Sequence, residues 1–167
     1  DVLLDSGHER LVYMAGTPDT STNSDRERGF VQRLRERGYG KPQRWQAAYS
    51  YDAGYMAGLD LLRQQTPPDA IFCANDVMAL GALDAAHVMK FRVPDDLSII
   101  GFDDIPMAGW PVYNLTTIRQ EVDVMIERTM QLMQARIDDP DAPPVLDLVP
   151  GQLVIRGSVR NLKKGHV

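Results

Sequence analysis

The run Ala70-Ile-Phe-Cys-Ala74 is apolar at every position and follows Pro67-Pro68. A half-exposed strand alternates apolar and polar residues, so an unbroken apolar run bounded by turn residues reads as a strand covered by helices on both faces. That makes it the central strand of a parallel sheet. The flanking sequence fits: short β-branched or aromatic runs at Leu11 to Ala15, Trp45 to Tyr49 and Leu97 to Phe102 alternate with helical periodicity at about Asp25 to Arg37, Tyr51 to Gln65 and Val77 to Met89. Such alternation is the mark of βα units, and the fold class is α/β with a doubly wound parallel sheet.

The two ends of this pattern differ from its middle. Asp1 to Asp5 reads as the last turns of a helix closed by Gly7, which tolerates a left-handed cap. A helix end with no beginning suggests a fragment whose N-terminal portion is missing. Beyond the fourth strand, Asp103 to Tyr113 carries Pro106, Gly109 and Pro111 and reads as an irregular loop. A long helix follows, about Glu121 to Ile137, with Val122, Met125, Ile126, Met130, Met133 and Ile137 on one stripe that needs a partner. Short strands are expected near Val145 to Val149 and Leu153 to Ile155, and the basic tail Arg160 to Lys164 is expected to fray.

Composition removes several function classes. With 18 Lys+Arg against 23 Asp+Glu in 167 residues, the chain lacks the clustered positive charge a phosphate-binding surface needs, so any DNA contact must lie elsewhere. The one cysteine, Cys73, forbids an intrachain disulfide, and His8, His87 and His166 show no ligand spacing, so no metal site or cofactor is expected. No apolar run approaches the ~20 residues that cross a bilayer, and the start Asp1-Val-Leu-Leu-Asp does not read as a secretory leader. A cytoplasmic protein without membrane contact is expected. No Gly-x-Ser-x-Gly elbow, Walker-type loop or dinucleotide fingerprint occurs, and nucleophile and base are both missing, so the chain reads as a binding protein and not an enzyme.

In open α/β sheets ligands bind beyond the carboxyl ends of the strands. Those positions hold Thr20-Ser-Thr-Asn-Ser24 running into Asp25-Arg26, then Tyr49, Asn75-Asp76 and Asp103-Asp104. A guanidinium, a carboxamide, carboxylates and an aromatic ring at one rim suit a neutral polyhydroxylated ligand, and a base or nucleoside would also fit. Each residue also has a purely structural reading. Asn75 or Asp76 can cap the next helix, with Asp76 favoured for that role; Asp103-Asp104 before Pro106 can be a turn. Tyr49 can be core edge, and Arg26 heads a basic run that a solvated helix face largely explains. The helix Val77 to Met89, with small residues between Met78, Leu80 and Leu83, is either buried core or a face toward a second subunit.

Three segments in fixed order carry a family resemblance: Ala70-Ile-Phe-Cys-Ala-Asn-Asp-Val-Met-Ala-Leu-Gly-Ala-Leu83, Val93-Pro-Asp-Asp-Leu-Ser-Ile-Ile-Gly-Phe-Asp-Asp-Ile-Pro106 and Leu115-Thr-Thr-Ile-Arg-Gln120. With Gly7-His-Glu-Arg-Leu-Val-Tyr-Met-Ala-Gly16 and Arg26-Glu-Arg-Gly-Phe30, they resemble the effector-binding domain of the lactose-repressor/galactose-repressor (LacI/GalR) family of bacterial transcription regulators, collinearly over about residues 1 to 160. The resemblance implies a periplasmic-binding-protein-like (type I) core, here mainly the C-terminal subdomain. It divides the chain into residues 1–113, the C-terminal effector-binding subdomain; 114–150, a crossover, helix and strand of a largely missing N-terminal subdomain; and 151–167, the return strand and tail.

By the same resemblance Arg26, Tyr49, Asn75 and Asp103 are the ligand-binding positions. Met78, Leu80, Gly81, Leu83, Ile105 and Trp110 fall on the family's homodimer interface. The implied partners are a small-molecule effector, a pentose or hexose before a purine, and operator DNA bound through an absent helix-turn-helix headpiece. The rival reading is a periplasmic sugar-binding protein of a transport system.

Overall fold

The computed structural model describes residues 1–160. Four parallel strands form the main sheet: β1 (Leu11–Ala15), β2 (Gln43–Gln46), β3 (Ala70–Cys73) and β4 (Ser98–Ile100), in the order β2-β1-β3-β4. Every residue of β1, β3 and β4 is buried, as the apolar run at 70–74 requires. Between them run α2 (Ser21–Glu36), α3 (Tyr51–Leu62) and α4 (Asp76–Val88), after the single turn α1 (Val2–Asp5), which Gly7 closes at φ 76° as expected. Because strand order reverses after β2, right-handed crossovers put α2 on one face and α3 and α4 on the other. On the first face Tyr13 and Phe72 meet Phe30 of α2, ring centroids 5.9 and 5.0 Å from it.

Several boundaries differ from the sequence reading, each for a local reason. The edge strand is Gln43–Gln46 and not Trp45 to Tyr49, because its register against Val12–Ala15 ends where the Ala47 N–H reaches the Ala15 carbonyl. Helix α2 begins within the polar loop, where the Thr20 hydroxyl accepts the Asn23 N–H. Helix α3 stops at Leu62, short of Gln65. One turn of 3-10 helix, Pro106–Gly109, breaks the expected irregular loop.

The chain then forms β5 (Thr117–Arg119), α5 (Val122–Asp138) and β6 (Gln152–Val154), and β5 and β6 pair antiparallel. The strand expected at Val145 to Val149 does not form. Helix α5 buries none of its residues, and Val122, Ile126, Met130 and Ile137 stay exposed, so the predicted apolar stripe lies uncovered. Of the basic tail, Arg160 is held by its N–H to the Ser98 Oγ at 3.0 Å, and residues 161–164 lie outside the described residues. Among the described residues no helix is long and apolar enough to cross a membrane.

The small residues of α4 have a packing cause. A methyl added at Gly54 would meet the Met78 backbone, and one added at Gly81 would lie 2.6 Å from the Tyr55 backbone nitrogen, so α3 and α4 cross with backbone almost touching backbone. Met78 and Gly81 lie at this crossing, and both they and Leu80 are buried within the chain. That corrects the interface expectation for those three, whose side-chain space is taken up inside the subunit. Leu83 and Ile105 are half-buried and Trp110 is exposed.

Two predictions follow from this packing. Gly→Ala in an open helix stabilises by up to ~1 kcal/mol, but Gly81→Ala must push two backbones apart and should destabilise by about 1–3 kcal/mol, read as a lowered urea midpoint. The second concerns His8, 1% exposed, whose Nδ1 lies 3.1 Å from the Arg160 guanidinium and 3.8 Å from Asp69. Burial first, then the Arg160 charge, hold its imidazole below the ordinary value, with Asp69 opposing and Arg10 adding to the fall. Below about pH 6.5 the unfolded chain gains a proton that the folded chain refuses, so stability falls as pH falls through that window. His8→Gln should flatten the loss of urea midpoint between about pH 7 and pH 5.

Candidate functional site

Three elements meet beyond the carboxyl ends of β1, β3 and β4. Arg26 lies in the second turn of α2, 11% exposed, and reaches back over the sheet edge. Its Nη1 donates to the Ala74 carbonyl at 2.5 Å and its Nη2 to Asp103 Oδ1 at 2.9 Å, while the guanidinium carbon stands 3.9 Å from the Phe102 ring centroid. A planar cation fixed by two acceptors and an aromatic face is pre-organised, which a lysine could not reproduce.

Asp103 follows β4 and is held by a parallel bridge to β5, its N–H donating to the Ile118 carbonyl at 2.8 Å. The same Oδ1 that takes Arg26 also accepts the Gln120 Nε2–H at 2.6 Å, whereas Oδ2 makes no hydrogen bond among the described residues. Gln120 comes directly after β5, so the first residue beyond the crossing strand joins the group formed by the sheet's own strand ends. Arg26, Phe102 and Gln120 line a cleft of about 460 Å³ whose other wall is Met125, Arg128 and Thr129 of α5 and residues 147–149. On its other side Arg26 borders an apolar groove of about 590 Å³ across the sheet face, lined by Phe30, Phe72, Ile100 and Leu153.

The structure brings Arg26 and Asp103 into direct contact. It does not bring Tyr49 to them. That ring packs over Gly16, where a methyl would overlap it, and joins the edge of the core with its hydroxyl buried and unpartnered among the described residues. Asn75 sits beside Ala74, yet its Oδ1 accepts the Met78 N–H at 3.0 Å and so caps α4. This corrects the assignment of the cap to Asp76. Asp76 is fully buried instead and accepts the Thr117 hydroxyl at 2.5 Å and the Ile105 N–H at 2.9 Å. Burial raises its pKa, against those two hydrogen bonds, and the nearby carboxylates Asp103 and Asp104 raise it further. Sequence reasoning passed over Gln120 and Phe102, although both lie within the motifs quoted; extending the strand-end rule to the crossing strand would have found Gln120.

Among the described residues no group of three or more His, Cys, Asp or Glu is placed to hold a metal ion. Arg26, Gln120 and Phe102 give the cleft a fixed guanidinium, a primary amide and an aromatic ring, and Asp103, bonded to Arg26 and Gln120, adjoins them with one carboxylate oxygen unused among the described residues. Such a set binds adjacent hydroxyls or ring nitrogens as both donor and acceptor.

Comparison with known proteins identifies the family of the fold. Residues 1–159 match the family described as periplasmic binding protein-like domain, and the chain belongs to that family. The HTH-type transcriptional repressor PurR of Mannheimia succiniciproducens is 34% identical over 162 residues, 96% of this chain and 48% of that protein. Among solved structures, the transcriptional regulator CelR in complex with cellobiose superposes with a TM-score of 0.86 at 28% identity, covering 93% of this chain and 48% of that one. The lac repressor dimer bound to operator and the anti-inducer ONPF gives 0.85 at 25% identity, covering 94% and 55%. These likenesses bear out the LacI/GalR regulator family and the periplasmic-binding-protein-like α/β class read from the motifs. The chain spans about half the length of the curated relatives it matches.

The contacts of Arg26 yield a prediction. Arg26→Lys cannot satisfy the Ala74 carbonyl and Asp103 together and loses the stacked face on Phe102. It should lower stability by about 1–3 kcal/mol in urea unfolding, and an unchanged midpoint would mean that these contacts add nothing to folding.

Proposed function

We propose that this chain is the effector-binding and dimerisation portion of a LacI-type transcriptional repressor, with a small polar ring compound bound between Arg26, Asp103 and Gln120. The observation that carries this is the half-used Asp103 carboxylate beside a stacked guanidinium at the mouth of a cleft. The arrangement favours a sugar: paired hydroxyls can take one guanidinium N–H and give one hydrogen bond to Asp103 Oδ2, while the Phe102 ring offers an apolar face. A purine base is the competing effector, and the likeness to CelR in complex with cellobiose stands on the side of a sugar.

In this reading residues 114–150, with the uncovered stripe of α5, belong to a second subdomain that closes the cleft. Effector binding favours one closure and so biases operator binding by a helix-turn-helix headpiece. The polypeptide acts by saturable binding and not turnover, in the cytoplasm where operator DNA lies, with no metal or cofactor. Leu83, Ile105 and Trp110 remain the candidate contacts to a second subunit, and exposed Val88 and Val112 are apolar side chains that such a contact would cover.

Calorimetry on the protein at its natural length, with cellobiose, galactose, ribose, hypoxanthine and guanine, tests the assignment. One of these should bind saturably, and Asp103→Ala should weaken it at least ~10-fold, the scale of a lost charged hydrogen bond. Unchanged affinity in that variant would take Asp103 out of the site.

A further inference from the structure

Asp103 and Asp104 are neighbours in sequence whose carboxylates serve different parts of the molecule. Both residues have positive φ, 116° and 56°, a pair of strained positions for residues bearing a Cβ. At this bend the two side chains turn to different partners. Asp103 goes to Arg26 and Gln120 at the cleft. Asp104, 6% exposed, takes Arg119 Nε on Oδ2 and Arg156 Nη2 on Oδ1, each at 2.6 Å.

Arg119 belongs to β5, and Arg156 lies two residues past β6. These are the strands by which the chain leaves for α5 and returns from it. Arg156 further donates from Nη1 to the Leu115 carbonyl at 2.7 Å and from its backbone N–H to Thr116 Oγ1 at 2.9 Å. A single buried carboxylate thus clamps the outgoing and the returning strand together. Burial opposes its ionisation, but the hydrogen bonds from Arg156 and Arg119 outweigh that and hold its pKa below the carboxylate range. Of the two pairs, the one to Arg156, 18% exposed, is shielded from water, whereas Arg119 is 48% exposed and its pair alone is weak.

We propose that Asp104 is a positioning residue that couples occupancy of the cleft to the placement of β5 and β6. The inference rests on the reading of the cleft as an effector site. A ligand that takes up Asp103 Oδ2 or displaces Arg26 turns residue 103, and one peptide plane carries that turn into Asp104 and its two arginines.

The test contrasts neighbouring variants in the protein at its natural length. Hydrogen exchange without ligand is read at amides 116–119 and 152–156, calorimetry with the probe that binds the wild type, and operator release by fluorescence anisotropy with the same probe. Asp104→Asn is expected to raise exchange in both segments together by ~10-fold or more and to leave probe affinity within ~3-fold of wild type. The probe concentration needed to release operator should rise ~10-fold or more, or release should disappear. Asp103→Ala is expected to lose probe affinity while raising exchange in the two segments less than Asp104→Asn does.

Arg119→Gln, at an exposed position that tolerates change, should give a smaller rise in exchange than Asp104→Asn and guards against a variant that simply fails to fold. Loss of probe affinity in Asp104→Asn equal to that in Asp103→Ala, wild-type operator release, or unchanged exchange in the two segments would each overturn the proposal. If the wild type binds none of the sugars and bases, the effector reading fails. The exchange arm then still decides the clamp: a joint rise supports it, and no rise overturns it.

Discussion

Burial of β3 on both faces governs the rest of the architecture. A strand with no polar side chain cannot border water, so helices must lie above and below it, and a chain that does this with parallel strands must cross over between each pair. Every crossover begins at a carboxyl end. The segments after β1, β3 and β4 are therefore delivered to one rim, and at that rim Ala74, Phe102 and Asp103 each meet Arg26. The rim is a by-product of layering a parallel sheet, and its chemistry depends on which residues occupy the turn positions.

Within that rim, charge is arranged in two tiers. Asp76 is fully buried with two hydrogen-bond donors and no ion-pair partner among the described residues, and burial raises its pKa. Asp104 is almost as deep but meets two guanidiniums, which hold its pKa down. Asp103 lies nearest to solvent, with one oxygen doubly occupied and the other without a partner among the described residues. A carboxylate left half-satisfied and partly exposed costs little, because solvent can satisfy its second oxygen. The deeper pair secures the junction of sheet and crossing strands.

The sequence made much of this legible. Strand β1 was read to the residue, the sheet class followed from the apolar run at Ala70, and the strand-end rule drew Arg26 and Asp103 from a list of polar residues with plain alternatives. Tyr49 and Asn75 passed the same test and yet do other work, one lying over Gly16 and the other capping α4. The rule locates an edge; it does not say which way a side chain turns from it. Small residues in α4 suggested either core or interface, and the close crossing with α3 explains Gly81 and Met78 from within the subunit.

Local pattern alone thus determined the layering and the existence of each βα unit, because apolar periodicity and Gly, Pro and Asx positions act over a few residues and survive without knowledge of the fold; the family came from the resemblance of the motif segments. The pairing of Gln120 with Asp103, 17 residues apart, and of Asp104 with Arg156, 52 residues apart, was decided only in three dimensions. Nothing near Arg156 in the sequence singles it out from other arginines. It gains its role because β6 returns antiparallel to β5 and brings the guanidinium beside a carboxylate whose direction is set by two positive φ angles, a condition that side-chain type does not encode.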